Sequence, residues 1–462
     1  MMKGYLTVFM SLSLSVLIGF VLLLTGNATR NAEKVRLEGI ADIGMNSVLA
    51  EFDIELHKRY GLLYIDASYL GRQPSVSNLE DRLAFYMKKN IGNGSENKPW
   101  GNITLKEVRV TEIRTAAEGN GNSMKNQAVC YVEDYGIERK EADASGYLNE
   151  VKELDNRNPR QEWISLEEQI AGMELPFIQN EKGEWEEVPL GNPADRIFGF
   201  LGSDVLYLLG VDMNGVGTGC IQKETCISHR EIANITGAPV KAADDRMFIS
   251  YLFEKMGNYR EVKEDSFLNF QLEYIVHGRL SDYENLEAAA EKLLDWRFAA
   301  AVNRVFGDGG LYAEAAAASD ELLAVQLKTE FRRPVTESIL YACAYLEAIA
   351  EVKCLLAGGS INIGEENLSV GVSQVLEGVI PAAAVSEADG LNYGQYLACM
   401  LFFLDEDVRN LRSMDIMEMD IRYLTGNIAF AMDWCVERYT SQITAYGGWN
   451  HEYVLRRTYG YY

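Results

Sequence analysis

The densest grouping of residues able to do chemistry is the stretch GTGCIQKETCISH, which carries Cys220, Cys226 and His229. Two thiols flanking a short polar loop can close a disulfide outside the cell. With His229 they offer three ligands to zinc, but a structural zinc takes four. No fourth ligand lies nearby, so a Cys220–Cys226 disulfide, or two free thiols, outranks a metal site. The other five cysteines, Cys130, Cys343, Cys354, Cys399 and Cys435, stand far apart in apolar surroundings and read as small buried hydrophobes.

Other groupings are weaker. His57, His229, His277 and His451 are scattered, and HEYVL lacks the second histidine of a zinc-protease helix. No glycine-rich phosphate loop and no G-x-S-x-G elbow occurs. VDMNGVG, with Asp212, Asn214 and Gly215, opens like a calcium loop but lacks the closing Glu at the required spacing, so a plain turn is expected. Asp405, Glu406 and Asp407, then Asp415, Glu418 and Asp420, read as acids at a helix junction. Neither a catalytic constellation nor a cofactor or metal site emerges, and the chain reads as a non-enzyme.

The 462 residues carry a net charge of −25, which disfavours nucleic acid and broad electrostatic attraction to an anionic bilayer. The elements that would position any site begin with MMKGYLTVFMSLSLSVLIGFVLLLTGNATRNA. Its apolar stretch, residues 5–25, is too long for the core of a signal peptide and long enough to cross a bilayer. A single-pass anchor is expected, with lipid as the partner of residues 5–25. Lys3 precedes the span, and Arg30, Lys34 and Arg36 follow it, so local charge does not orient it. Beyond it Leu37, Ala41, Met45, Val48, Phe52 and Leu56 recur every three or four residues, predicting one helix from about Leu6 to Arg59.

Downstream, GLLYID, ITLKEVRVTEI (with a bulge near Lys106 and Glu107) and the alternation Leu268, Phe270, Leu272, Tyr274, Val276 read as strands. QAVCYVEDYG fits either a strand or a helix. Ser281 and Glu284 make a capping box for a helix ending at Gly307, and Pro334 and Gly358 bracket another. Two more helices are expected over 391–411 and 414–434, and two terminal strands around GGWN. The expected fold class is α+β: a long N-terminal transmembrane-plus-amphipathic helix packed on an antiparallel sheet, with a large helical insertion. The expected divisions are 1–27 leader and anchor, 28–60 amphipathic continuation and 61–280 an α+β region, irregular over 175–235. The remainder is 281–435, a helical unit, and 436–462, a hairpin closing the sheet with the 61–66, 103–113 and 268–276 strands.

Several segments resemble an uncharacterised bacterial family that accompanies tight-adherence (Tad or Flp) pilus genes in Gram-positive bacteria. They are KGYLTVFMSLSLS, AEKVRLEGIADIGMNSVLAEFDIELHKRYGLLYID, EDSFLNFQLEYIVHGRLSDYENL, EVKCLLAGG, LNYGQYLACMLFFLDEDVRNLRSMDIMEMDIR and RTYGYY. The resemblance implies a minor pilin-like or pseudopilin-like component. It implies prepilin-peptidase cleavage between Gly4 and Tyr5, and places Phe9 where a filament-forming pilin carries Glu. That departure suits an accessory subunit or plain anchor. It also implies that the bulk of the chain is extracytoplasmic, with pilus subunits or assembly-platform proteins as partners. The competing expectations are a membrane-tethered module binding a wall or surface ligand, and an extracytoplasmic hydrolase with a dispersed site.

Overall fold

The computed structural model describes residues 2–92, 103–174, 177–179, 182–187, 191–233, 240–241, 243–323, 329–363, 368–382 and 390–461. Parts of the irregular 175–235 stretch, Met1 and the last residue of the terminal hairpin lie outside them. The chain is mixed α and β and divides into two units. The first holds residues 1–131, 224–243 and 414–462; the second holds 132–223 and 244–413.

In the first unit, α1 (Met2–Leu49) is followed by α2 (Ile54–Tyr60), β1 (Ile65–Asp66), α3 (Val76–Ile91), β2 (Thr104–Thr115) and the start of α4 (Asn122–Tyr135). The final elements are α5 (Glu406–Thr425, from residue 414 on), β3 (Cys435–Tyr446) and β4 (Glu452–Gly460). The sheet is antiparallel throughout, built around β3, which pairs with β1, β2 and β4. The register of β2 slips between Leu105 and Glu107, the position expected for a bulge, and again near Val110 and Arg114. Ambiguous QAVCYVEDYG lies in α4, a helix.

The stripe on α1 is the core. Leu37, Ala41, Met45 and Val48 are fully buried, packed with Leu79, Leu83 and Met87 of α3 and Ile113, Val436, Tyr439 and Ile443 of the sheet. Burying one such aliphatic side chain contributes about 1.5–3 kcal/mol. α1 and α3 approach closely at Gly44, where a Cβ would lie 3.1 Å from both Leu83 and Met87. The single helix expected to reach Arg59 is corrected: α1 stops at Leu49. Asp53 starts a new helix by accepting from the Leu56 amide at 2.7 Å, while its own amide donates to the Tyr64 carbonyl at 2.8 Å. The N-cap aspartate is the local signal that ends the apparently continuous apolar stripe.

The second unit is mainly helical. Helices Asp282–Gly307 and Arg332–Ala357 form its centre and begin and end where capping box, proline and glycines predict. Arg297, fully buried, donates from Nε to Glu351 Oε2 at 2.7 Å and from Nη1 to Tyr396 Oη at 2.9 Å. The strand expected over 268–276 is a second correction. Gln271–His277 is a short helix, and residues 271–275 are all buried. Its polar residues face inward because they hold a turn: Gln271 Oε1 accepts from the Gly257 amide and Glu273 Oε1 from the Tyr259 amide, both at 2.8 Å. Burial on every side erases the distinction between a period of two and one of 3.6. The helix expected over 391–411 is likewise two, Tyr393–Phe403 and Glu406–Thr425, because Leu404 is extended and Asp405 Oδ1 caps the next turn through the Asp407 amide at 3.0 Å. The second ends at Thr425, short of residue 434.

Candidate functional site: an exposed apolar helix and its seat on the sheet

Every residue from Tyr5 to Asn31 is exposed. The 21 positions of residues 5–25 extend about 31 Å at helical rise, against roughly 30 Å of hydrocarbon in a bilayer. α1 is therefore long and apolar enough to span a membrane. The three serines of residues 5–25, and Thr25, are satisfied within the helix. Ser11 donates to the Val8 carbonyl at 2.9 Å, Ser13 to Phe9 at 2.7 Å, Ser15 to Ser11 at 2.8 Å and Thr25 to Val21 at 2.9 Å. Such back-bonding removes most of the cost of placing a hydroxyl in hydrocarbon. Gly4 and Tyr5 both lie in α1, so the bond expected to be cleaved is in helical backbone. Phe9 is 70% exposed, one of a continuous apolar series.

Where the bare stretch ends, the sheet takes hold. Glu33 is 2% exposed, although the helical pattern put it off the packed stripe. Its Oε2 accepts from Tyr453 Oη at 2.9 Å and its Oε1 from the Gly448 amide at 3.0 Å. Tyr453 Oη also lies 3.2 Å from the Arg30 carbonyl. A Cβ on Gly447 would stand 2.4 Å from Glu33 Oε2, so a glycine is needed there for this approach. Burial and the bond to Glu33 push the Tyr453 hydroxyl up to about 12, keeping it a donor. Two further tyrosines repeat the device: Tyr439 Oη donates to the Met45 carbonyl at 3.1 Å and Tyr461 Oη to the Leu49 carbonyl. The second satisfies one of the carbonyls that a helix end leaves without an amide partner. The tyrosine-rich tail thus pins α1 at three levels.

Tyr453→Phe removes a donor to a buried carboxylate and leaves the packing. A hydrogen bond to a charged group is worth about 1.5–3 kcal/mol, and unfolding of the variant in denaturant should show a loss of that size. No measurable loss would mean that Glu33 does not depend on Tyr453.

The other groups singled out by sequence lie elsewhere. Cys220 and Cys226 are both free thiols, the first exposed and the second buried. Cys220 lies in the second unit, where its backbone bridges Ser281, and Cys226 in the first. Met213–Gly215, in the calcium-like stretch, is a single 3-10 turn. Among the described residues no group of three His, Cys, Asp or Glu is placed to hold a metal ion.

Asp415, Glu418 and Asp420 are not first-turn acids. They sit inside α5, at most 1% exposed. Arg230 donates to Glu418 Oε2 at 2.8 Å and to Asp433 Oδ1 at 2.7 Å; Arg422 adds a 3.0 Å bond to Glu418. Tyr60 donates to Asp420 at 2.7 Å, and Ser228 to Asp415. Burial pushes the Glu418 carboxyl up, and Arg230 and Arg422 oppose that push. With every carboxylate engaged, the cluster secures the 224–233 segment against α5 and offers no open coordination position. Sequence spacing reads these acids as belonging to a helix junction; their arginine and hydroxyl partners are up to 360 residues away.

In the second unit Glu273 is fully buried. Burial raises its carboxyl to about 7 despite bonds from Tyr393 Oη at 2.6 Å and the Tyr259 amide. Its side chain is closed off from solvent. A cleft of about 560 Å³ is lined by Tyr147, Glu153, Arg157, Asn303, Arg304 and Asn362 among others. Arg304 is committed to Glu351 at 2.6 Å, and Arg157 bonds Asn303. The cleft mixes both charge signs and could hold a small polar ligand.

A family model described as a family of unknown function (DUF5702) matches residues 183–447. No curated protein and no solved structure matches the chain.

Proposed function

Because the chain belongs to the DUF5702 family of unknown function, its role has to be read from its own build, and we propose that it is a non-enzymatic, membrane-anchored, pilin-like accessory protein of a tight-adherence-type pilus or surface assembly. One observation carries the reading. α1 passes without a break from 27 exposed residues, Tyr5 to Asn31, into a stripe sealed against an antiparallel sheet. The second half of the same helix is core, which ties the bare half to the folded unit. The exposure of the first half sets it apart from a soluble core helix, which would be covered. Phe9 in place of the pilin Glu fits a subunit that accompanies a filament rather than building it. The pilin-like layout puts the bulk of the chain outside the cytoplasm, in a single-pass arrangement.

The cleft in the second unit favours one alternative, a tethered module that binds a small polar wall or surface ligand. Mass spectrometry of the mature amino terminus, combined with protease treatment of intact cells, separates these readings. The pilin-like role expects Tyr5 as the first residue, external digestion of the bulk, and cross-linking to pilus or assembly-platform proteins. Cleavage near Ala28 would end the anchor reading. Saturable ligand binding by the chain with no cross-link to any assembly component would favour the tethered module.

A further inference from the structure

The cleft of the second unit is a furrow between two helices. The helix Leu148–Asp155 presents Glu150, Glu153 and Leu154 to it. The Arg157 amide donates to the Leu154 carbonyl at 3.1 Å, so Arg157 carries the same stripe just past the helix end. Residues three, four and seven apart share one helix face, which is why these side chains line one wall. Ala300, Asn303 and Arg304 form the facing stripe on Asp282–Gly307.

The charges on the first wall are uncompensated and stand in a fixed order. Among the described residues, Glu150 and Glu153 have no cation within 4.0 Å and no hydrogen-bond donor. Lys292, which reaches the end of this helix, is committed to Asp155. Arg157 has no carboxylate within 4.0 Å; it donates from Nη1 to Asn303 Oδ1 instead of pairing with Glu153, one turn before it. Arg304 is held by Glu351 at 2.6 Å and adds no free charge. Two acids therefore mark one end of the furrow, a guanidinium marks the other, and Leu154 lies between. At helical rise Glu153 is about 6 Å, and Glu150 about 10.5 Å, from Arg157 along the axis.

The rest of the cleft suits an aliphatic middle. Leu154, Ala300 and Leu391 line it and are buried. Its 560 Å³ lies within the roughly 300–1,000 Å³ of small-molecule sites. An extended peptide covers about 3.3–3.6 Å per residue, so two or three residues reach from the acids to the guanidinium. A zwitterion has no net charge and escapes the repulsion that a chain of net charge −25 exerts on anions.

We infer that the cleft binds a short zwitterionic peptide of two or three small residues: its ammonium sits on Glu150 and Glu153, its carboxylate on Arg157 and Asn303 Nδ2, and its side chains over Leu154, Ala300 and Leu391. The inference rests on the tethered-module alternative and names its ligand; the pilin-like reading does not depend on it.

The test is calorimetric titration of the full chain in phosphatidylcholine nanodiscs with trialanine, N-acetyl-trialanine and trialanine amide. Trialanine should bind saturably. Each capped form should bind about fivefold more weakly, the upper end for an exposed ion pair. Arg157→Gln should weaken trialanine by that factor and leave the amide unchanged. Glu150→Gln with Glu153→Gln should weaken trialanine and leave the acetylated form unchanged. All three side chains are exposed, and thermal unfolding checks that each variant folds. Equal affinity for the three peptides, or affinities unchanged in the variants, would overturn the inference. Saturable binding of putrescine or succinate, but not of trialanine, would overturn the zwitterion and keep the cleft as a ligand site. No saturable binding of any of these probes would overturn the inference and remove the cleft as support for the tethered module.

Discussion

Removing residues 1–28 is expected to move the protein from the membrane fraction to the soluble fraction without unfolding it. Residues 5–25 contain thirteen Leu, Ile, Val and Phe side chains. At about 0.3–0.6 kcal/mol each near the bilayer centre, they favour insertion by roughly 4–8 kcal/mol. None of that surface is used by the fold, because the residues up to Asn31 are exposed and the core begins at Glu33 and Leu37. The truncation keeps Arg30, whose carbonyl accepts from Tyr453. Carbonate extraction and sedimentation of full and shortened chains measure the partition, and thermal unfolding checks the fold. A shortened chain that still sediments with membranes would mean that another surface holds it there. A milder version replaces Leu14 and Ile18, one turn apart on one face, by Lys. Each lysine costs about 2.5–3.5 kcal/mol at the helix centre, enough to cancel most of the insertion energy.

Replacing Glu273 by Gln is expected to stabilise the second unit by about 3 kcal/mol at pH 8 and by little at pH 4.5. The folded carboxyl titrates near 7 because it is buried, while the unfolded one titrates near 4.5. Between those values the folded state holds the proton that the unfolded state has released. Stability therefore falls as pH rises through this window, by about 1.4 kcal/mol per unit of difference.

His277 acts in the opposite sense. Burial, with Arg279, Arg412 and Lys292 around it, lowers its imidazole from 6.5 to about 4. Its contribution is present above the unfolded value and is lost as pH falls from 6.5 to 4. The two slopes partly cancel in the wild type, so the informative quantity is the difference between wild type and Glu273→Gln at each pH. Glutamine keeps the oxygen that accepts from Tyr393 and the Tyr259 amide, and replaces the Oε2 atom that has no partner. Denaturant unfolding at pH 4.5, 6 and 8 reads the difference. A pH-independent difference would show that Glu273 is ionised throughout.

Local pattern carried much of this fold into view. Ser281, Pro334 and the glycines at 307 and 358 mark helix ends through capping and backbone freedom, which depend on adjacent residues, and those ends lie where expected. The bulge near Lys106, the terminal hairpin and the buried stripe of α1 are legible for the same reason. Local pattern misleads where burial is complete or partners are remote. The inward-facing Gln271 and Glu273 imitate the polar face of a strand, because the turn at 257–259 that they hold is invisible to a short window. The acids of α5 read as a helix junction until Arg230, Arg59 and Tyr60 are brought to them.

That an uncharged apolar helix of membrane-spanning length leads without a break into an amphipathic one is readable from residue order, because hydropathy and period are properties of neighbouring residues. Where that helix stops, that Glu33 is its buried foothold, and that Tyr439, Tyr453 and Tyr461 reach its carbonyls emerge from the packed fold. Those outcomes depend on which remote atoms share a low-dielectric space, where an unpaired carboxylate or carbonyl costs too much to leave unmet.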